Sequence, residues 1–200
     1  AGTYYAGSTL PTGAAIVSGI TALNGGSVTA VFASPYTANK VYFGTDGSRI
    51  IYINRADTAT IASSGVNISA AGMSGTVSCI NAGSNDSNLI ACFSNYGVSN
   101  IWVTNNGGTS WTAIDGNLPD MPVRWCMFFP GTNTQAIIAT ETGVFTTDSI
   151  KGSATVWNAS STFPVVRTDM LKYRSSDGTL LAATHGRGMW TTTITNESHW

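Results

Sequence analysis

The stretch T-N-N-G-G-T-S-W, from Thr104 to Trp111, decides how the rest of the chain is interpreted. It separates a strand-like run at 101–103 from a second short run at 111–114. Asparagine and glycine tolerate the left-handed backbone that a tight hairpin turn needs. A tryptophan at the end of the turn can fold back over it as an apolar plug. The stretch therefore predicts a β-hairpin with a polar tip.

A repeated pattern surrounds this hairpin. Four segments each contain a β-rich run that opens on valine, a polar turn, and a second run with a small residue near its end. Taking Gly44, Cys92, Ala139 and Ala183 as equivalent points, the spacings are 48, 47 and 44 residues. A nearly constant period of this size is typical of four-stranded propeller blades. The repeat therefore predicts a β-propeller.

The fold class follows from the repeat and from the absence of a helical pattern. No window shows the 3.6-residue apolar period with helix caps, so the prediction is all-β. We expect a propeller segment of about four blades made of four-stranded antiparallel sheets. The predicted divisions are the end of a partial blade at 1–25, blades at 26–72, 73–119 and 120–164, and an incomplete last blade with a tail at 165–200. Because the pattern starts within a half blade and lacks a final outer strand, we expect a piece of a larger propeller.

Composition excludes several classes of function. Charged residues make up 10% of the chain, about half the usual share. A net charge of −1 with only three lysines gives no electrostatic footprint for nucleic acid. No run of 18 apolar residues is present, so no membrane span is predicted. Abundant small and β-branched residues favour a secreted or cell-surface protein.

The cysteines give no sign of a metal or cofactor. Cys79, Cys92 and Cys126 all lie in apolar runs, no C-x-x-C occurs, and both histidines are far away in sequence. Buried free thiols are the simplest interpretation. The alternative is a cross-strand disulfide between Cys79 and Cys92, which flank a predicted hairpin with its tip near Asn85 and Asp86.

Two stretches resemble a known class of propeller. T-N-N-G-G-T-S-W resembles the Asp-box, S/T-x-D-x-G-x-x-W, of sialidase-like and xyloglucanase-like propellers, with Thr104, Gly108 and Trp111 matching and Asn106 at the Asp position. The run at 182–190, A-A-T-H-G-R-G-M-W, resembles the closing portion of secreted bacterial propellers with xyloglucanase-like or sortilin-like repeats. The resemblance implies an extracellular β-propeller in which the Asp-box-like turn is structural and fastens a blade.

Candidate catalytic residues are few. Glycoside hydrolysis needs two carboxylates across a groove, and Asp46 and Glu141 both follow the second strands of their repeats, so they could converge at one propeller face. His185 and Arg187 lie on a glycine-flanked turn and could act as a base and an anion clamp, with Asp177 the nearest carboxylate in sequence. Alternatively, Arg187 bonds carbonyl groups of the next blade.

Aromatic residues supply candidates for binding. Trp102, Trp111, Trp157 and Trp190 fall at repeat positions and are predicted to pack in the core. Tyr36, Tyr96 and Trp125 lie near loops or strand starts, where an aromatic face can stack on a sugar ring or anchor an interface. Together with His185 and Arg187 they are the predicted ligand-binding residues.

The sequence thus favours a non-catalytic propeller module of a secreted or cell-surface bacterial protein, acting in binding, display or assembly. The alternative is part of a glycoside hydrolase, xyloglucanase-like or sialidase-like, with some catalytic carboxylates outside this segment. Open blade edges at 3–18 and 188–195 need a partner strand. We expect the remainder of its own chain or another subunit to supply it, and a glycan is the other expected partner.

Overall fold

The structure, a computed structural model, describes residues 26–59 and 65–194. The partial blade predicted over 1–25 and the tail at 195–200 lie outside these ranges. Within them, the only helical segment is a single 3₁₀ turn, Gly152–Ala154. The remaining regular structure consists of antiparallel strands in four separate sheets, which confirms the all-β prediction.

Each sheet is a meander in which every strand pairs with the next one along the chain. Blade 1 contains β1 (Val28–Ala33), β2 (Val41–Thr45), β3 (Ile50–Ile53) and β4 (Val66–Asn67). Blade 2 contains β5 (Val77–Ala82), β6 (Leu89–Phe93), β7 (Ile101–Thr104) and β8 (Thr112–Ala113). Blade 3 contains β9 (Val123–Phe128), β10 (Ala136–Thr140), β11 (Gly143–Thr147) and β12 (Asn158–Ala159). Blade 4, as far as the described residues extend, contains β13 (Thr168–Arg174), β14 (Thr179–Thr184) and β15 (Met189–Thr193).

The second strand of a blade is its most buried part. β2, β6 and β10 are buried along their whole lengths, because a neighbouring blade or loop covers both of their faces. In the structure β9 has half-buried residues at Arg124 and Trp125, since one edge of each innermost strand faces a central channel.

Apolar contacts stack the blades in chain order. One buried cluster joins blades 1 and 2 through Tyr42 and Phe93, and a second joins blades 2 and 3 through Cys92 and Ile138. A third joins blades 3 and 4, with Leu180 as one of its members. Each fully buried side chain of this size contributes about 1.5–3 kcal/mol. In the described part of the chain no such cluster joins blade 4 back to blade 1, and the ring is not closed.

Gly44 shows how closely the blades approach. A Cβ atom at this position in β2 would lie 2.7 Å from the Cβ of Val77, the first residue of β5. Real Cβ atoms do not come that close, so the contact between blades 1 and 2 requires glycine here. The small residue that marks the repeat in the sequence therefore has a packing origin.

The two ends of the channel differ in structure. We call the end where innermost strands begin and second strands finish the bulged end, and the opposite end, with the first-to-second turns, the turn end. At the turn end, Asp86 of blade 2 accepts hydrogen bonds from Ser34 Oγ (2.6 Å) and Thr37 Oγ1 (2.5 Å) of blade 1. Lys40 Nζ lies 3.7 Å from the same carboxylate. Asn133 of blade 3 accepts a 2.8 Å bond from the backbone NH of Ser84 in the same way.

Outer strands are shorter than predicted. The sequence predicts the short run at 111–114 in blade 2, and the structure restricts this strand to Thr112–Ala113. In blade 3 the outer strand is equally short and directly follows Trp157, at Asn158–Ala159. Residues before these strands instead form hairpin turns closed by side-chain hydrogen bonds.

Candidate functional site

The innermost strands of all four blades line one central channel of about 620 Å³. Its wall is partly aromatic, with Trp125 from β9 and Tyr173 from β13. Polar groups come from Asn81 of β5 and Lys172 of β13, and Lys172 is exposed. A cavity with aromatic faces and a few polar groups is the usual form of a ligand site.

A β-bulge lies at the start of every innermost strand. The pairing between the first and second strands shifts by one residue at Thr29, Ser78, Arg124 and Asp169. A bulge leaves one residue without a partner in the ladder and re-aims its side chain. We call these four residues the bulge ring. They repeat at the same place in each blade, at the bulged end of the channel.

The first two members of the bulge ring bind the next blade. Thr29 Oγ1 donates a 2.7 Å hydrogen bond to the carbonyl oxygen of Val77. Ser78 Oγ donates a 2.6 Å hydrogen bond to the carbonyl oxygen of Val123. Both acceptors are the first residue of the neighbouring innermost strand. The bulge in these blades therefore serves blade-to-blade packing.

The other two members form ion pairs. Arg124 donates to the carboxylate of Glu141 with both Nε, at 2.7 Å from Oε1, and Nη2. In blade 4, Arg167 Nε lies 2.7 Å from Asp169 Oδ1, and His185 Nδ1 lies 3.7 Å from Asp169 Oδ2. We call these five residues the charged cluster. They bring together the ends of β10 and β14 with the starts of β9 and β13.

Charge within the cluster is balanced. The hydrogen bond that Arg167 donates to Asp169 raises the pKa of Arg167, and the nearby charges of Asp169 and Glu141 raise it further. Arg167 therefore stays positive at any physiological pH. Because each carboxylate already faces an arginine, neither is placed as an unpaired acid or base. The arrangement is suited to holding loop geometry and to recognising polar ligands.

The two predicted catalytic carboxylates lie at the bulged end, on blades 1 and 3. Glu141 is bound to Arg124, as described. Asp46 Oδ1 accepts a 2.8 Å hydrogen bond from the backbone NH of Ser27, and the backbone NH of Asp46 donates a 3.1 Å bond to the Ser27 carbonyl. Both carboxylates are engaged in local contacts, and they belong to blades that are not neighbours.

The predicted ligand-binding residues are divided between the two ends. Tyr36 lies at the turn end, where its hydroxyl donates to the carbonyl of Gly83. Tyr96, 65% exposed, lies at the bulged end after β6. Trp125 lines the channel, and His185 and Arg187 are exposed in the loop after β14. The structure thus brings Trp125 and His185 towards the same end and leaves Tyr36 at the other.

Two side chains have surroundings that sequence position alone does not indicate. The carboxylate beside His185 is Asp169, whereas Asp177 pairs with Arg174 at 2.9 Å between Oδ1 and Nε. Trp190 is 44% exposed and does not belong to the core, although Trp102 and Trp157 do. Strand register decides the first point, because the bulge turns Asp169 towards the loop that carries His185.

The turn at 104–111 is held by its own side chains. Thr104 Oγ1 donates to Asn106 Oδ1 at 2.8 Å, and Asn106 Oδ1 also accepts a 2.9 Å bond from the backbone NH of Ser110. Gly108 has a φ of 90°, and a Cβ there would lie 2.6 Å from the Cβ of Ile68 in blade 1. Trp111 Nε1 donates a 2.6 Å bond to the Ile68 carbonyl. The turn therefore packs on the preceding blade, remote from the channel.

The three cysteines form a buried group between blades 2 and 3. All are free thiols, so the alternative of a Cys79–Cys92 disulfide is not realised, although the two residues lie directly opposite each other. Cys79 Sγ lies 3.5 Å from the carbonyl oxygen of Cys126. Burial raises the pKa of the Cys92 and Cys126 thiols.

Asp115 is a buried carboxylate outside the candidate catalytic pair of Asp46 and Glu141. It follows the outer strand of blade 2, and its Oδ1 accepts a 2.5 Å hydrogen bond from the backbone NH of Asn100. Its Oδ2 is buried, and burial raises the pKa of the side chain above its usual 3.8. No local sequence signal marks it, because its burial depends on how the loop at 94–100 folds over it.

Groups of three or more histidine, cysteine, aspartate or glutamate side chains placed to hold a metal do not occur among residues 26–59 and 65–194. In the same ranges, no helix has the length and apolar character to cross a membrane.

Comparison with known proteins supports the fold. No protein-family model and no curated protein matches the chain. Among solved structures, it is similar to a GH74 enzyme from Niastella koreensis, with a TM-score of 0.59 and 15% identity over 85% of this chain and 27% of that one. The Swd1 β-propeller domain of Myceliophteria thermophila gives a TM-score of 0.57 and 14% identity over 80% of this chain and 49% of that one.

A third similar structure is the extracellular domain of a putative hybrid two-component system from B. thetaiotaomicron. It has a TM-score of 0.57 and 21% identity, over 84% of this chain and 21% of that one. The chain thus spans less than half the length of each of these three proteins. At such identities the likeness establishes the β-propeller fold, in agreement with the sequence-based prediction.

Proposed function

We propose that this chain is a non-catalytic β-propeller module of a secreted or cell-surface bacterial protein, and that it binds a glycan in its central channel. The observation that carries the proposal is the position of Trp125, half-buried in the wall of a 620 Å³ channel reached by all four innermost strands. A half-buried indole can stack on the apolar face of a sugar ring.

Neighbouring groups supply the polar part of such a site. Tyr173 and Lys172 lie on the blade 4 side of the channel, and Asn81 and Thr29 on the side of blades 1 and 2. An amide, two hydroxyl groups and an ammonium group can hydrogen-bond to ring hydroxyls. Among the described residues, Lys172 is the cation of the wall, which matches a neutral or weakly acidic glycan.

The engaged carboxylates support binding without turnover. Glu141 is held by Arg124, and Asp46 is held by the backbone of Ser27. Glycoside hydrolysis needs one carboxyl group free to protonate the leaving oxygen and another opposite it, about 5–9.5 Å away. Glu141 on blade 3 is ion-paired and Asp46 on blade 1 is bound to the backbone, so these two acids do not meet that requirement.

The proposed secreted or cell-surface location is supported by the composition of the chain and by one of the similar structures. Only 10% of residues are charged, and one of the similar structures is an extracellular domain. The exposed face of blade 4, with Met170 and Met189 at 43% and 73% exposure, is the surface that the remainder of a longer chain or another subunit would cover.

Titration calorimetry with xyloglucan oligosaccharides, cello-oligosaccharides and sialyllactose tests the proposal. We expect one of these classes to bind the wild-type chain, and Trp125→Ala to weaken binding by at least about tenfold, since stacking on an aromatic face is worth roughly 1–3 kcal/mol. Trp190→Ala, which removes a 44% exposed tryptophan that does not line the channel, is the matched control and should bind as wild type does.

The same glycans, incubated with the protein for a day and analysed for reducing ends, test for turnover. No release is expected. Release that disappears in Glu141→Gln or Asp46→Asn would replace the binding function by glycoside hydrolysis. Binding that is equal in wild type and Trp125→Ala would show that the channel is not the site.

A further inference from the structure

The turn at 104–111 contains a pair of residues that can react with each other. Asn106 is followed by Gly107, so no side chain hinders the approach of the Gly107 nitrogen to the side-chain amide of Asn106. Attack forms a bond between this nitrogen and Cγ of Asn106, and Nδ2 leaves as ammonia with the proton that the nitrogen gives up. Water then opens the five-membered imide to aspartate or to isoaspartate. Asparagine and water thus become a carboxylate and ammonium.

In the folded protein both reacting groups are held in hydrogen bonds. The NH of Gly107 donates to the carbonyl oxygen of Ser87, in the turn between β5 and β6, at 3.0 Å. Oδ1 of Asn106 accepts from Thr104 Oγ1 and from the NH of Ser110, and Nδ2 donates to Ser110 Oγ at 2.8 Å. Because the Gly107 NH points at Ser87, its nitrogen cannot attack Cγ until the turn opens. Asn106 is exposed, so water reaches the site once it has opened.

Contacts with blade 1 keep the turn closed. Gly108 packs directly on Ile68, and its NH donates to Thr104 Oγ1 at 3.1 Å. At the end of the turn, Trp111 Nε1 donates its 2.6 Å hydrogen bond to the carbonyl oxygen of Ile68. Opening the turn therefore disturbs the same contacts that fasten blade 2 to blade 1.

The two possible products differ in how they fit the turn. An aspartate at position 106 keeps the acceptor at Oδ1. Ser110 Oγ, which accepts from Nδ2, can donate to the new carboxylate oxygen, because a hydroxyl group does both. Isoaspartate instead adds a methylene carbon to the main chain before Gly107, which displaces the Gly107 NH from Ser87 and the turn from blade 1. Aspartate thus preserves the turn, and isoaspartate unfastens it.

We propose that Asn106 is a site of spontaneous deamidation, and that the fastening of blade 2 to blade 1 sets its rate. While Trp111 is bonded to Ile68, the turn stays closed and the reaction is slow. When this contact loosens, the reaction accelerates, and its isoaspartate product prevents the turn from closing again. The modification is an irreversible record of separation between the two blades.

Peptide mapping by mass spectrometry measures the reaction, because conversion of the amide into a carboxylate changes the mass of the peptide that contains Asn106. The wild-type chain is incubated at pH 8 with and without concentrated urea. We expect Asn106 to deamidate at least about tenfold more slowly in the folded protein, since reaction there requires the turn to open. Equal rates in the two samples would overturn the proposal, as would the absence of deamidation in urea.

Two matched variants test the link to the blade contact. Trp111→Phe removes the indole NH that binds Ile68, and Trp157→Phe makes the same change at the contact between blades 2 and 3. With both variants folded by circular dichroism, we expect Trp111→Phe to raise the rate at Asn106 about threefold to tenfold, as for the loss of one hydrogen bond. Trp157→Phe should leave that rate unchanged. The same rate in both variants would overturn the link to blade 1.

The thermal midpoint tests the fit of the two products. Asn106→Asp should unfold at the same temperature as wild type, because its carboxylate keeps the bonds of the turn. Protein aged until it contains isoaspartate at position 106 should unfold at a lower temperature. A lower midpoint for Asn106→Asp, or an unchanged one for the isoaspartate form, would overturn the assignment of isoaspartate as the product that unfastens the turn.

Discussion

Trp157 Nε1 and the carbonyl oxygen of Ile114 form a 2.7 Å hydrogen bond that joins blade 3 to blade 2. Trp111 makes the same bond, at 2.6 Å, to Ile68 of blade 1. Both bonds span 43 residues. The repeat therefore reproduces a bond between blades as well as the strands within each blade.

Trp157→Phe removes the indole NH and keeps an aromatic ring, so it measures the hydrogen bond apart from the burial of the ring. It should lower the free energy of unfolding by about 1 kcal/mol through the lost bond, with a further loss from the smaller ring. Trp157→Ala should cost about 3–5 kcal/mol, because the site is buried. Urea denaturation followed by circular dichroism measures both, and the exposed Tyr96→Ala should stay within about 0.5 kcal/mol of wild type. A Trp157→Ala value as small as the control would contradict the fastening role.

Gly44→Ala tests the close approach of blades 1 and 2. The new Cβ would meet Val77 at 2.7 Å, so the strands must shift, at a cost of roughly 1–3 kcal/mol in the free energy of unfolding. Gly47→Ala is the matched control, because the nearest atom to its new Cβ is Thr45 Oγ1 at 3.7 Å. Combining Gly44→Ala with Val77→Ala should cost less than the sum of the two single changes. Strict additivity would show that the two positions do not touch.

The three thiols should be protected by folding. All are buried, and burial raises the pKa of Cys92 and Cys126, which keeps these thiols protonated and unreactive. A thiol reagent such as Ellman's should label none of them in the native protein and all three after denaturation without reductant. Labelling of only one thiol after denaturation would reveal a disulfide between Cys79 and Cys92.

The titration of Asp115 predicts the direction in which pH changes the stability of the folded protein. Its pKa is raised above 3.8 in the folded state by burial, so the folded protein binds its proton more tightly than the unfolded chain does. This group therefore favours folding most at low pH, and its contribution falls as the pH rises from about 3.8 through the folded pKa. Asp115→Asn keeps an acceptor for the NH of Asn100. The free energy of unfolding of this variant, measured by urea denaturation, should change less between pH 4 and 7 than that of wild type. An equal change in the two proteins would contradict the assignment.

The repeat could be predicted because strand pattern and turn chemistry are local properties. The spacing of Gly44, Cys92, Ala139 and Ala183 identifies the second strands correctly, and Asn and Gly mark the turn after β7. The charged cluster could not be predicted, since it depends on strand register. One extra residue at Asp169 decides that His185 faces this carboxylate rather than Asp177.

Other side chains escaped prediction for a similar reason. Trp102 and Trp190 occupy equivalent positions in β7 and β15, and each donates its indole NH to a backbone carbonyl three residues earlier. Only Trp102 is buried, because an outer strand follows β7 in the described structure. Sequence shows the shared position and not the neighbour that covers it.

The bulge ring shows where the amino-acid sequence of this propeller can vary without altering the fold. The same backbone irregularity carries a threonine, a serine, an arginine and an aspartate in the four blades. The fold therefore tolerates neutral, basic and acidic side chains at one geometric position around the mouth of the channel. Substitution there can alter the chemistry of the opening one blade at a time, while the buried second strands and the bonds of the turn end keep the architecture constant.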